Sequence, residues 1–237
     1  MVHRFLRQKF SSGGVVVALS ALALIAAAQI AGSGGAQGFQ IATLALLILA
    51  AGCVAKDASG GALQMILCRP IRRSEYLLGR YLGVLAGFGG FLLGSSALGI
   101  LFARGILPLL GSPVRPIAFG ELGIEVAATF LGGVASAATI LLLSTFLPGY
   151  GDVLGFILLT PLAMLPDLAA KVLRAPWLEK LAQSLRDNLL PSLDWSAVLH
   201  GRDVLGEPTG RWVLAVVLYL VFALAIFSRR EFAYGQD

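Results

Sequence analysis

Six apolar segments restrict the fold of this chain more than any other feature of its sequence. A helix that crosses the hydrocarbon core of a membrane needs about 20 largely apolar residues. The candidate spans are 15–31, 41–55, 81–102, 126–147, 153–165 and 212–227. Charged residues make up only 13% of the chain, which is too little to cover the surface of a soluble domain. The sequence therefore predicts an all-α polytopic membrane protein, with six transmembrane helices in a single domain, 1–237.

The first, second and fifth segments are less certain to form full, uncleaved membrane spans than the other three. The second and fifth must extend into their flanks to cross a membrane, and Pro161 and Pro166 favour a broken or re-entrant fifth span. The first 31 residues resemble a signal peptide, but the apolar run from Val15 is 17 residues long. A usual signal core is shorter, and we therefore expect an uncleaved first span.

Lysine and arginine are divided unequally between the two sides that six spans define. Ten of the 18 fall on the side of the termini: Arg4, Arg7, Lys9, Lys56, Arg69, Arg72, Arg73, Arg80, Arg229 and Arg230. Positively charged loops tend to stay in the cytoplasm, so both termini are predicted to be cytoplasmic in a bacterial inner membrane. The net charge of the chain is +5. We interpret the basic residues at the ends of the apolar segments as contacts for anionic lipid headgroups, and no nucleic-acid partner is expected.

The long segment 167–211 is predicted to lie on the opposite, extracytoplasmic side. Pro176 can open a helix, after which leucines recur at spacings of three and four residues: Leu178, Leu181, Leu185 and Leu189. This pattern is typical of an amphipathic helix on the membrane surface or over the ends of the spans. A small solvated helical hairpin is the alternative.

Motifs for catalysis and ion coupling are missing from the sequence. None of the four lysines follows a glycine, so the phosphate-binding pattern Gly-x4-Gly-Lys-Ser/Thr is absent. The two histidines are too few and too far apart for a familiar metal site. Glu121, Glu125, Asp152 and Asp167 lie at predicted span ends, where a hydrated interfacial carboxylate is favoured over an ion-coupling group. We expect no enzyme activity, metal or cofactor in this chain.

Glycine is frequent in and just before the third span. Small residues at intervals of about four let helices approach one another closely in lipid. The glycines predicted to pack helices in this way are Gly79, Gly83, Gly87, Gly90 and Gly94. These glycines could pack helices within one subunit or between the two subunits of a dimer, and the sequence favours neither.

The segment between the second and third spans, 56–80, is the most informative. Gly60 and Gly61 break the helix, Pro70 ends the next short one, and Ser74 is placed to cap the helix after it. Between them, one apolar stripe is formed by Leu63, Ile66 and Leu67. This order predicts a short amphipathic helix, 62–69, at the cytoplasmic surface, which can transmit a partner's motion to the two attached spans. A basic loop that only anchors to headgroups is the alternative.

The same segment resembles the cytoplasmic loop of type-2 ABC exporter permeases. The matching residues are Asp57, Gly61, Leu63, Ile66, Leu67, Pro70, Ile71, Arg73, Tyr76, Leu77, Leu78, Gly79 and Arg80. The outer stretch 175–195 and the basic end 227–232 are also similar to that family, and the likeness covers the whole chain. Gln64 and Arg72 depart from the Glu and Ser that are common in the family.

The resemblance implies the membrane-spanning subunit of an ATP-driven exporter. Two such subunits, identical or related, would lie beside two ABC ATPase subunits, which would bind the ATP and Mg²⁺. The residues implied to couple with the ATPase are Asp57, Gly61, Leu63, Ile66, Leu67, Arg69 and Pro70. Arg72, Arg73 and Arg80 would hold lipid headgroups. A secondary carrier and a non-transporting membrane scaffold or assembly factor are the alternative functions.

Overall fold

The computed structural model describes residues 2–35, 39–54, 72–109, 116–147, 150–159, 193, 195–201 and 206–229. In these ranges every regular element is helical, as the sequence predicts. The helices are α1 (Val2–Phe10), α2 (Gly13–Ser33), α3 (Ala42–Ala50), α4 (Arg73–Leu101), α5 (Phe119–Phe146), α6 (151–159), α7 (Trp195–Leu199) and α8 (Glu207–Arg229). A π-helical turn, Phe102–Ile106, and a last helical turn, Leu107–Leu109, continue α4.

Four of the described helices are long and apolar enough to cross a membrane: Gly13–Ser33, Arg73–Leu109, Phe119–Phe146 and Pro208–Arg229. Between 22% and 44% of the residues in their most apolar parts are buried within the protein. Most of each helix surface is therefore available to lipid, and side chains such as Val17 and Leu93 are 69% and 66% exposed. The chain is a helical, multi-pass membrane protein.

Three long helices begin earlier than the apolar segments predict. α4 starts at Arg73 instead of 81, α5 at Phe119 instead of 126, and α8 at Glu207 instead of 212. The sequence prediction stopped each span at its polar flank, but a helix continues beyond the hydrocarbon. With 37 residues, α4 and its continuation are about 55 Å long, against roughly 30 Å of hydrocarbon.

These longer helices include residues that the sequence analysis placed in two segments between the spans. Residues 73–80 of the predicted segment 56–80 belong to α4, and residues 207–211 of the predicted outer segment 167–211 belong to α8. Of the rest of that outer segment, the described part includes the short helix α7. The four leucines of the predicted amphipathic helix lie outside the described residues.

The second and fifth predicted spans contain shorter helices. α3 ends at Ala50, where a turn at 51–54 replaces the end of the predicted span 41–55. Gly52 in this turn has a φ of 60°, a left-handed conformation that glycine adopts most easily. α6 covers 151–159, and Pro161 and Pro166 lie outside the described residues. Nine described helical residues are fewer than a full crossing needs, so the count of six spans stays a prediction.

The chain forms two compact units, each assembled from three stretches of sequence. The first unit contains Met1–Leu49, Leu82–Val134 and Asp194–Val204. The second contains Ala50–Tyr81, Ala135–Leu193 and Leu205–Asp237. Three of the five boundaries between stretches fall inside α3, α4 and α5, so these helices contribute residues to both units.

In the first unit, α4 and α5 interlock through glycines and phenylalanines. A Cβ atom on Gly133 of α5 would lie 2.8 Å from Cδ1 of Phe88 on α4, and one on Gly89 of α4 would lie 3.3 Å from Cε2 of Phe130 on α5. The two rings stack with their centroids 6.4 Å apart. Each helix therefore provides a glycine for the other helix's ring, which brings the two backbones close together.

The predicted packing glycines of α4 differ in their surroundings. A Cβ atom on Gly83 would lie 2.5 Å from the ring of Phe5 in α1, and one on Gly87 would lie 3.2 Å from Leu6. Gly90 and Gly94 have no heavy atom within 4 Å of the corresponding position. Gly79 is buried in the second unit. The close approaches to Gly83 and Gly87 are thus made by side chains of α1, together with Leu49 of α3, which would lie 3.3 Å from a Cβ on Gly87.

Candidate functional site

The best-defined polar site lies in the second unit, on both sides of the segment 55–71. That segment holds all seven predicted coupling residues (Asp57, Gly61, Leu63, Ile66, Leu67, Arg69 and Pro70), and it lies outside the described residues. The structure describes the chain that enters it, 51–54, and the chain that leaves it, 72–80. These two stretches and the side chains that contact them from α5, α6 and α8 are called the junction below.

The entering chain is held by side chains from two other helices. The backbone N–H of Gly52 donates to Oδ2 of Asp152 at 2.9 Å, and that of Val54 donates to Oγ of Ser144 at 3.2 Å. The N–H of Cys53, between them, donates to the carbonyl of Ala50 at 3.0 Å. Three successive donors at the end of α3 are satisfied in this way, as buried backbone groups require.

Asp152 is completely buried, with 0% of its surface exposed. The sequence prediction of a hydrated carboxylate at a span end is therefore wrong for this residue. Its Oδ1 accepts the N–H of Val153 at 2.8 Å, so the carboxylate joins the start of α6 to the turn after α3. A buried carboxylate is stabilised by such donors and by its position at the amino-terminal end of a helix.

The leaving chain begins α4 with a cap that differs from the predicted one. The N–H of Arg72 donates to Oε2 of Glu75 at 3.4 Å, the geometry of one half of a capping box. Ser74 lies inside α4, so Ser74 does not occupy the capping position that the sequence suggested. Arg72 and Arg73 are both exposed, and their contact with headgroups stays a prediction.

Two further contacts attach the start of α4 to the end of α8. The guanidinium of Arg73 donates to the carbonyl of Ser228 at 2.9 Å, one of the carbonyls that a helix end leaves without an intrahelical donor. The ring of Tyr76 stacks on that of Phe227, with centroids 5.8 Å apart and planes 16° from parallel. Both rings are buried, at 1% exposure each, so this contact is part of the core of the second unit.

Arg80 occupies a different environment from the one predicted. Its side chain is 8% exposed, its Nε donates to the hydroxyl of Tyr76 at 3.2 Å, and its guanidinium carbon lies 5.3 Å from the centre of the Tyr76 ring. Arg80 is thus part of the buried junction, while the prediction placed it at the headgroups.

The junction connects the two ends of the 55–71 segment to different helices. The entering end is bonded to α5 and α6, and the leaving end is bonded to α8. A displacement of either end must move these helices or break buried contacts. Among the residues that the structure describes, no three His, Cys, Asp or Glu side chains lie together as metal ligands.

Sequence reasoning missed most of the junction because its bonds join distant residues. Gly52 and Asp152 are 100 residues apart, and Val54 and Ser144 are 90 apart. The contact of Tyr76 with Arg80 was also missed, although residues four apart lie on one face of a helix and their spacing could have indicated it. Comparison of the chain with protein-family models and with curated protein sequences gives no match.

Proposed function

We propose that this chain is the membrane-spanning subunit of an ATP-driven ABC exporter whose ATPase is a separate protein. The resemblance of 57–80 to the cytoplasmic loop of type-2 ABC permeases is the source of this proposal. The observation that supports it best is the junction, which fastens both ends of the 55–71 segment to the ends of membrane helices. A segment that receives force from a partner needs rigid attachments of this kind.

In this mechanism the junction acts as the connection between the ATPase and the spans. Two ATPase subunits bind ATP with Mg²⁺ and close, and each carries the 62–69 helix of one permease subunit with it. The motion passes through Gly52 and Val54 to α5 and α6, and through Arg73 and Tyr76 to α8. Movement of these helices in two permease subunits, identical or related, opens a path between them. Both termini are cytoplasmic in this arrangement.

A secondary carrier is the second candidate, because Asp152 is a buried carboxylate of the kind that ion coupling needs. Both of its oxygens accept backbone N–H groups, and these bonds explain its burial as a structural role. The two functions differ in their energy source. Export that stops on ATP depletion supports the ABC permease, whereas export that stops with an uncoupler while ATP is maintained supports the carrier. A membrane scaffold would show neither.

The double substitution Leu63→Asp and Leu67→Asp is expected to abolish binding of the ATPase. Charged side chains on the apolar stripe would face the cleft of the ATPase, and burying an unpaired carboxylate costs several kcal/mol. A loss of about 3 kcal/mol reduces the ATPase recovered with the tagged permease more than roughly a hundredfold. Affinity purification from membranes followed by an ATP-hydrolysis assay measures this loss.

A substitution at the far end of α4 provides the matched control. Leu109 is 87% exposed and lies 37 residues along the helix that begins at Arg73, so Leu109→Asp should leave recovery of the ATPase unchanged. Equal amounts of all variants in the membrane fraction show that insertion survives. If the Leu63/Leu67 variant retains the ATPase, the assigned coupling helix is incorrect.

A further inference from the structure

We propose that Asp152 and Ser144 are positioning residues, which hold the turn 51–54 so that force on the neighbouring segment reaches α5 and α6. This role rests on the proposed function, since it concerns how the ATPase would move the spans. Its structural basis is independent of that function, because it consists of hydrogen bonds within this chain, from Gly52 to Asp152 and from Val54 to Ser144. The two parts can therefore be tested separately.

Side chains from other helices accept hydrogen bonds from two of the three successive backbone donors of the turn. Only Cys53 of the three successive donors bonds to the preceding helix, through Ala50. Gly52 and Val54 bond to side chains that arrive from α6 and α5. Cys53 and Val54 are 2% and 1% exposed, so water does not reach the backbone N–H groups of the turn. Removal of the acceptor on Asp152 or Ser144 therefore leaves a buried N–H group unsatisfied.

Asp152 is suited to transmitting a displacement because its two oxygens serve different elements. Oδ2 accepts from the turn after α3, and Oδ1 accepts from Val153 in the first turn of α6. Moving the turn away from α6 breaks a charge-assisted hydrogen bond in a buried site, where such bonds are stronger than neutral ones. Ser144 adds a second connection, to the last turns of α5.

The first experiment measures how well the turn is held, using Cys53 as the reporter. The chain has two cysteines, so Cys68→Ser leaves Cys53 as the single thiol of the full-length protein. A membrane-permeant maleimide should label Cys53 slowly in this background. Asp152→Asn and Ser144→Ala should each raise the labelling rate about tenfold, because a loss of about 1.4 kcal/mol makes local opening ten times more frequent.

Matched substitutions control for general loosening of the protein. Ser95 is as buried as Ser144, at 0% exposure, but its hydroxyl donates to Leu92 in its own helix. Glu121 is exposed in the first turn of α5. Ser95→Ala and Glu121→Gln should therefore leave the labelling rate of Cys53 unchanged. Unchanged labelling in Asp152→Asn and Ser144→Ala, or equal increases in all four variants, would overturn the assigned holding of the turn.

The second experiment tests transmission in the complex with the co-purified ATPase. A reporter cysteine replaces Leu158, which is 58% exposed on α6, in a Cys53→Ala, Cys68→Ser chain. ATP should change the labelling rate of this reporter by about fivefold or more, the size of a typical coupling between two sites. In Asp152→Asn the ATPase should still co-purify, because the 55–71 segment is intact, but the response to ATP should disappear.

The outcomes separate the positioning role from the proposed function. If the ATPase co-purifies and Asp152→Asn keeps the full response to ATP, Asp152 does not position the turn for coupling. If no ATPase co-purifies with the unsubstituted chain, the proposed function fails and the coupling role fails with it. In that case an increase in Cys53 labelling would still show that Asp152 and Ser144 hold the turn.

Discussion

Replacing Gly133 with leucine is expected to lower the thermal unfolding midpoint of the detergent-solubilised protein by about 4 to 8 °C. A side chain at this position overlaps the ring of Phe88, which is 1% exposed and stacked on Phe130. Inserting carbon atoms into a filled core costs about 2 kcal/mol, and in a chain of this size each kcal/mol shifts the midpoint by roughly 2 to 4 °C. The loss of monodisperse protein on heating measures the midpoint.

The neighbouring glycine provides a control on the same helix. Gly132 has no heavy atom within 4 Å of the position that a Cβ would occupy, so Gly132→Leu should leave the midpoint unchanged or raise it slightly. Combining Gly133→Leu with Phe88→Ala should cost less than the two changes add up to separately, since the second makes room for the first. If Gly132→Leu and Gly133→Leu lowered the unfolding midpoint equally, the interlocking of α4 and α5 would be contradicted.

Replacing Phe227, in the second unit, with alanine is expected to lower the unfolding midpoint by more than Gly133→Leu does. Phe227 is 1% exposed and stacks on Tyr76 where α8 meets the start of α4. Truncation of a buried phenylalanine to alanine leaves a cavity and costs about 3 kcal/mol, which corresponds to a fall in the midpoint of about 6 to 12 °C. The same heating assay measures it.

Phe222 is the matched control, because it lies on the same helix and is 55% exposed. Phe222→Ala removes the same atoms from a lipid-facing site and should change the midpoint little. Phe227→Leu should recover most of the loss, since it restores most of the volume without the stacked ring. A similar midpoint for Phe222→Ala and Phe227→Ala would show that the stacked pair does not stabilise the junction.

The sequence predicted the helical class and most membrane-spanning helices because both depend on local composition. An apolar segment of sufficient length forms a spanning helix whatever its neighbours are, and α2, α4, α5 and α8 follow this rule. The prediction placed the starts of α4, α5 and α8 too late. Charged and polar residues end an apolar segment, but they do not end a helix.

The junction was not predictable in the same way, because burial depends on tertiary partners. Asp152 looked like a hydrated carboxylate at a span end, but it is completely buried and accepts a hydrogen bond from Gly52, 100 residues away. Arg80 looked like a headgroup ligand because it lies at the end of a predicted span, and its burial, at 8% exposure, is not visible in the sequence. For the glycines, spacing selected Gly83 and Gly87, which have close neighbours, but also Gly90 and Gly94, which have none within 4 Å, and it did not select Gly133 of α5.

The most direct test of the central claim is site-specific photocrosslinking from the 55–71 segment in native membranes. Photoreactive residues in place of Leu63 and Leu67 should crosslink to a protein that carries the Gly-x4-Gly-Lys-Ser/Thr pattern and hydrolyses ATP. The same residue in place of Leu109, which is 87% exposed, should not. The claim predicts that ATP changes the crosslinking yield at 63 and 67. Labelling of either position by a membrane-impermeant reagent from outside intact cells, with no crosslink to an ATPase, would contradict it.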